Sequence, residues 1–262
     1  MLMIFVGVSR EAFSVLLVRD QCCLLKECVQ GFGALSELFG RINAAHRLAH
    51  KCLQFVFSPE DFLEEPFSAE ALDEAAEKAC ATDFRRRHKK GFGSLVCALQ
   101  KVNGQGASYL LQALPERLLS RLLLLTRKRF HRLFEIKAYA SCDIEREYLI
   151  QLDDWLGDTA CVVLAEDRSV KVYCLEPPLS PRSLGVYEGE QALHAAWPSI
   201  LEGFVQKPLY GVCLARESSL FPADGCQQHV FYHCEPEYLG VYLAYCVHCK
   251  AKRWEDGCLQ NF

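Results

Sequence analysis

Residues 161–176 read CVVLAEDRSVKVYCLE. Two apolar runs rich in β-branched residues flank the polar Asp167-Arg168-Ser169, the pattern of two short strands joined by a hairpin turn. The Pro-rich bend EPPLSPRS (176–183) closes the hairpin; LGVYEG then reads as another strand, and EQALHAAWPSILEGF as a helix punctuated by Pro198. Upstream, EYLIQL and TACVVLAE have the same strand character.

Helical signals dominate the first half. Ser58-Pro59-Glu60-Asp61 places a cap residue, Pro at the first helical position and carboxylates in the first turn. Ser68 can cap AEALDEAAEKACA, which is built from strong helix formers. From Ala107 to Tyr139 the leucines recur with a helical period, Pro115 marking a start or a kink. IFVGV and SVLLV near the beginning are strand-like, and Cys22, Cys23, Leu24, Leu25 and Cys28 suit a buried strand or helix start. The expected fold is α+β, with a helix-rich region at 1–140 beside a region at 141–262 that is built on an antiparallel sheet and ends in a Cys/His-rich tail. Gly31-Phe32-Gly33-Ala34-Leu35 is echoed by Gly91-Phe92-Gly93-Ser94-Leu95, which is either chance or the duplication of a turn-plus-helix unit.

A chain of 262 residues with 51% hydrophobic content is globular in composition, and its net charge of −4 excludes a uniformly basic nucleic-acid coat. Fifteen cysteines are many. The opening MLMIFVGVSREAFSVLLVRD lacks the layout of a secretory signal, and LLSRLLLLTRKRF (118–130) is too short and too basic to span a bilayer. A reducing cytosol or nucleus is therefore expected, with free thiols and no membrane insertion. Charge is segregated: residues 59–83 carry nine acids and one base, and residues 85–132 twelve bases and one acid. These two stretches can pair inside the fold. Alternatively Arg85, Arg86, Arg87, Lys89 and Lys90 form an exposed basic patch for nuclear import, phosphate or a partner.

Cys226-x2-His229 and Cys246-x2-Cys249 have ligand-pair spacing, and a site with four protein ligands would be a structural zinc staple. His233, Cys234, His248 and Cys258 crowd the same region, so the ligand set stays open, as does simple burial of the cysteines. A Gly-x-Ser-x-Gly elbow, a His-Glu-x-x-His helix and a phosphate loop with its Lys-Ser/Thr are absent from the sequence. His46 and His50 read as neighbours on a helix face, and Asp153-Asp154 as a strand or turn pair unsuited to a catalytic dyad. A non-enzymatic protein is expected.

Val162 to Leu164, the turn Asp167 to Ser169, Val170 to Tyr173 and the helix Ala192 to Phe204 with Gly203 follow one another in a familiar order. There the chain resembles the repeated unit of the herpesvirus unique-short-22 family, assigned to the SUKH superfamily fold. Cys22-Cys23 with Phe32-Gly33 is similar to the family's paired cysteine and hydrophobic-Gly step, though more widely spaced. Tyr238, Tyr242, Cys246, Cys249, Lys250, Lys252 and Arg253 resemble the ending of some relatives, while Arg168-Ser169 stands where the family usually has Gly. The resemblance implies a SUKH-like fold in one or two degenerate units. It also implies a viral, tegument-type protein that binds host signalling or defence proteins in the host cytoplasm and nucleus. The alternatives are a zinc-stabilised nucleic-acid-binding regulator using residues 85–132 and a cysteine-dependent enzyme.

Overall fold

The computed structural model describes residues 1–203 except 11, 21, 60, 69–73, 103–107, 158, 167–168 and 177–180, together with 210–214, 228–232 and 235–249. Three strands, β1 (Leu2–Ser9), β2 (Ala12–Arg19) and β3 (Cys22–Gln30), lead into α1 (Gly31–Ala45) and β4 (Lys51–Phe57). After β5 (Leu63–Ser68) come α2 (Glu74–Phe92), β6 (Leu95–Val102), β7 (Ser108–Pro115), α3 (Glu116–Arg129), β8 (Leu133–Ala140) and α4 (Ser141–Leu156). The remainder comprises β9 (Ala160–Ala165), β10 (Val170–Leu175), β11 (Arg182–Tyr187), α5 (Gly189–Glu202), β12 (Tyr210–Leu214), β13 (Gln228–Tyr232) and α6 (Leu239–Cys249).

The strand orders are β3-β2-β1-β4-β8, β11-β10-β9-β12-β13 and β5-β7-β6. The two five-stranded sheets share one permutation: a three-strand meander, then a helix, then a fourth strand returning beside the first. β10 pairs antiparallel with β9 and β11, as the hairpin pattern requires. β12, however, runs parallel to both β9 and β13, and β4 parallel to β8. The expected antiparallel sheet is thus corrected to a mixed one, because helix crossovers bring the later strands back in parallel.

By proximity the chain forms two units. The first takes Met1–Met3, Val8–Phe13 and Cys28–Ala140. In it α1 buries Phe32, Leu35, Leu38, Phe39 and Ile42, a helical stripe, with Phe39 tilted against Phe130 at 4.9 Å and Phe32 edge-on to Phe13 at 5.2 Å. Lys51 is fully buried, and its Nζ donates to the carbonyls of His46 (2.8 Å) and Ala49 (3.0 Å) just past the end of α1. Phe84 of α2 packs on Leu95, Leu111 and Ala113 of the three-stranded sheet.

The second unit takes Ile4–Gly7, Ser14–Glu27 and Ser141–Phe262. α5 lays Leu193, Trp197 and Ile200 on Cys161, Val163, Val170, Val172 and Cys174. Tyr245 of α6 meets Phe5 edge-on at 6.1 Å, and Val241 approaches Gly7 so closely that a Cβ there would lie 3.2 Å from it and collide with the Ser14 hydroxyl. Glycine at position 7 leaves room for the Ser14 hydroxyl and for the close approach of Val241.

Four local expectations change. Ser58 and Asp61 are joined by a turn-type hydrogen bond, the Asp61 N–H donating to Ser58 O at 3.1 Å, and α2 begins only at Glu74. The leucine-rich stretch 107–139 divides into β7, α3 and β8; β7 is the central strand of its sheet, and a strand buried on both faces has no two-residue alternation to distinguish it from helix. EYLIQL belongs to α4, whose buried Ile144, Tyr148, Leu149 and Leu152 keep helical spacing. Gly31 opens α1 whereas Gly91 lies near the end of α2, so the Gly-Phe-Gly echo joins unlike elements. The matching positions are Gly31 (φ +77°) and Gly189 (φ +80°), each turning the third strand of a meander into its helix.

Neither glycine has a neighbour within 4 Å of the place a Cβ would occupy, so backbone strain is the whole effect of substitution. Gly31→Ala is expected to lower the urea-unfolding free energy by about 1 kcal/mol. Gly33→Ala, inside α1 and equally uncrowded, should raise it by a similar amount.

Candidate functional site

Ligands of open sheets with parallel strands gather outside the carboxyl ends of those strands. In the first unit that end is built by β1 and β4. The Val8 carbonyl accepts the Ser58 N–H at 2.9 Å, tying the close of β1 to the chain leaving β4. Arg10, in the β1–β2 turn, holds a left-handed φ of 41°, and its N–H donates to Asp61 Oδ2 at 2.8 Å. The buried Ser58 Oγ has no partner among the described residues.

In the second unit the carboxyl end of β9 leads into the hairpin whose Glu166 N–H donates to Ser169 O at 2.8 Å. Lys171 and Tyr173, two apart on β10, point to the face opposite Val170 and Val172. Lys171 Nζ lies 2.7 Å from Glu166 Oε1 and 2.9 Å from Oε2 of Glu145, a residue of α4 that is only 6% exposed. Tyr173 donates its hydroxyl to the other oxygen of Glu145. Burial pushes the Tyr173 phenol far above its ordinary value, and the Glu145 charge adds to the rise. Burial pulls Lys171 down, but Glu145 and Glu166 outweigh it and the ammonium is held more firmly than in water. Sequence reading missed this cluster. The available signal was Glu145, a carboxylate one position from Ile144 on the apolar stripe of α4.

No protein-family model and no curated protein matches the chain. Among solved structures, a Bacteroides thetaiotaomicron protein described as having an actin-like ATPase fold and unknown function aligns over 93% of this chain and 95% of its own, with TM-score 0.52 and 11% identity. This chain has the actin-like ATPase fold. The PilM–PilN type IV pilus biogenesis complex aligns over 94% of this chain and 98% of its own, with TM-score 0.52 and 10% identity. Identities this low speak to fold alone.

The likeness overturns the herpesvirus and SUKH resemblance and, with it, the viral host-interaction function, the tegument role and the host partners. The strands and helix that carried the resemblance are β9, β10, β11 and α5, and the first unit repeats the same meander-plus-helix in β1, β2, β3 and α1. The nucleic-acid alternative falls too. Of the proposed basic patch, Arg87 is bidentate to Glu65 (2.7 and 2.9 Å) and bonded to Asp83 (3.1 Å), Arg86 pairs with Asp83 (2.8 Å), and Arg85 donates to Leu95 O (3.1 Å). Hydrogen bonds from Arg86 and Arg87 hold the Asp83 carboxyl below its usual range. Arg85, Lys89 and Lys90 have no ion pair among the described residues, and Arg85 is held by a backbone carbonyl.

Of the zinc ligands expected, Cys226 lies outside the described residues, as do the side chains of His229, on β13, and Cys249, on α6; Cys246 is buried on α6. His46 caps the end of α1 and His50 follows it in the turn before β4, so the two share no helix face. Asp153 and Asp154 stand on α4; Asp153 is buried, and its carboxyl is pushed up by burial and then by Asp154. No described helix is long and apolar enough to cross a membrane.

The fold's name raises the matter of a nucleotide. Polyphosphates are held by unengaged N–H groups of glycine-rich turns and by a free Lys or Arg. The β1–β2 turn, Ser9 to Ala12, contains no glycine, and the Arg10 N–H is already taken by Asp61. At the second unit Lys171 sits between two carboxylates that would repel phosphate. The residues at these two ends do not fit a nucleotide.

Lys171→Met strands the buried Glu145 charge with only Tyr173 as donor, and should destabilise the chain by about 3 kcal/mol in denaturant titrations. Because the folded-state values of Tyr173 and Lys171 are raised, their contribution is complete below pH 10 and is lost as pH climbs beyond it. Unfolding measured from pH 8 to 11 should show that loss, and Tyr173→Phe should make it shallower; an unchanged slope would remove Tyr173 from the cluster.

Proposed function

We propose that this chain is a non-hydrolysing, protein-binding subunit of a larger assembly, in which the actin-like fold serves as a scaffold. The observation that carries the reading is the internal engagement of both carboxyl-end sites: Asp61 occupies the Arg10 amide, and Glu145 with Glu166 occupies Lys171. Groups so engaged have no capacity left to orient a phosphoryl group or activate water. Further support comes from PilM, a protein of this fold whose structure is that of a complex with PilN, and which this chain matches over nearly its whole length. Surfaces are then where function lies, as a fold that hosts many activities allows.

Titration calorimetry of the full chain with Mg-ATP should show no saturable heat, and a phosphate-release assay no turnover. Stoichiometric binding or sustained hydrolysis would overturn the reading. Gentle purification from the native source should place the chain in particles larger than its 29.7 kDa monomer mass; monomer alone would count equally against it.

A further inference from the structure

Two of the most exposed large apolar side chains in the first unit, Leu48 at 75% and Phe134 at 74%, belong to one rim. Leu48 lies in the turn between α1 and β4, and Phe134 at the start of β8. The Arg132 guanidinium donates to the Leu48 carbonyl at 3.1 Å, and the Lys51 N–H donates to Arg132 O at 2.9 Å. The two segments are therefore fastened together beside both apolar residues. The buried Lys51, by binding the His46 and Ala49 carbonyls, fixes the turn that presents Leu48. Singly exposed apolar residues are ordinary; two on a pre-set rim have already lost the freedom that docking would otherwise remove.

The strand pairing says how such a rim can be used. Lys51 aligns with Leu133 and Cys52 with Glu135, so Phe134 is an extra residue bulged out of β8, an edge strand. A bulge on an edge spoils the ladder that an added strand would need. Recognition at this end must go through side chains. The exposed charge carried by the chain on either side of Leu48 and leading into Phe134 is one-sided. Arg47, Arg127, Lys128 and Arg132 are exposed, and none pairs with a carboxylate among the described residues. Glu135, the one acid between residues 127 and 137, is already paired with Lys137 at 3.2 Å. A single exposed aromatic offers no series of stacking platforms for nucleic acid. Exposed apolar side chains next to cations that have no carboxylate partner instead suit a protein segment of opposite charge.

We infer that the Leu48–Phe134 rim binds an acidic segment of a partner protein that carries an aromatic or aliphatic anchor between its carboxylates. The inference rests on the reading of the chain as a protein-binding subunit and specifies where and what it binds.

The test pans a phage-displayed random-peptide library on the full chain, then measures the enriched peptides against two variants. Leu48→Ser with Phe134→Ser removes the anchors' seat, and Arg47→Glu with Lys128→Glu reverses charge; all four residues are exposed, so unchanged circular dichroism and melting are expected. Enriched peptides should place Asp or Glu around an aromatic or aliphatic residue, and each variant should weaken them about tenfold or more. Absence of enrichment, enriched peptides without carboxylates, or full binding by the first variant would overturn the inference. So would equal competition by a DNA oligonucleotide or by phosphatidylserine vesicles, which would mark a generic polyanion surface. These failures leave the subunit reading intact, since a partner can dock elsewhere, whereas ATP turnover would sink that reading whatever the peptides do.

Discussion

β1 and β9 are the middle strands of their sheets and are buried almost from end to end, and most of the architecture answers to that burial. A strand covered on both faces must also have both edges paired, because an unpaired backbone N–H or carbonyl away from water costs as much as a lost hydrogen bond. One edge is filled cheaply by a tight turn and an antiparallel neighbour, β2 or β10. The other can be filled only by a strand that returns over the sheet, which requires a crossover helix and makes the return parallel. α1 and α5 are those helices, and their apolar stripes cover the strands they cross. Gly31 and Gly189 occur at the same step of each half for one reason: the chain must leave the third strand through a left-handed residue to enter the helix.

Charge inside this frame is used to hold elements in place. Lys51 satisfies carbonyls at the end of α1, where orphan acceptors collect, and Lys171 with Tyr173 anchors Glu145 of α4 to β10. Lysines so engaged are structural fastenings. At the strand ends the polar groups are bound to one another: the Arg10 amide to Asp61, and Lys171 to Glu145 and Glu166.

Local chemistry was legible wherever neighbours in sequence are neighbours in space. The Val162–Leu164 and Val170–Tyr173 hairpin, the strand before α5 and α5 itself stand where their patterns put them. Legibility failed where two structures share a local pattern. The leucines of β7 and α3 form one apolar run, and only the pairing of β7 between β5 and β6 separates strand from helix. Ser58-Pro59-Glu60-Asp61 has every feature of a helix start, yet the Asp61 carboxylate turns to Arg10, fifty-one residues away. The cluster of Glu145, Lys171, Glu166 and Tyr173 was invisible for the same reason: Glu145 reads as one more helix carboxylate until α4 is set against β10.

By itself the sequence determined that the chain is globular, that 170–175 pairs back on 160–165, and that the acid- and base-rich stretches are separate along it. Tertiary structure decided which way the fourth strand runs, which of the two glycine pairs marks a repeat, and which cations are neutralised. Arg87 meets Glu65 across twenty-two residues, whereas Arg132 meets a carbonyl and keeps its charge for the surface. Strand direction and charge pairing depend on groups brought together by chain return, and no periodicity or spacing carries that information, because the separation in sequence is unrelated to the separation in space.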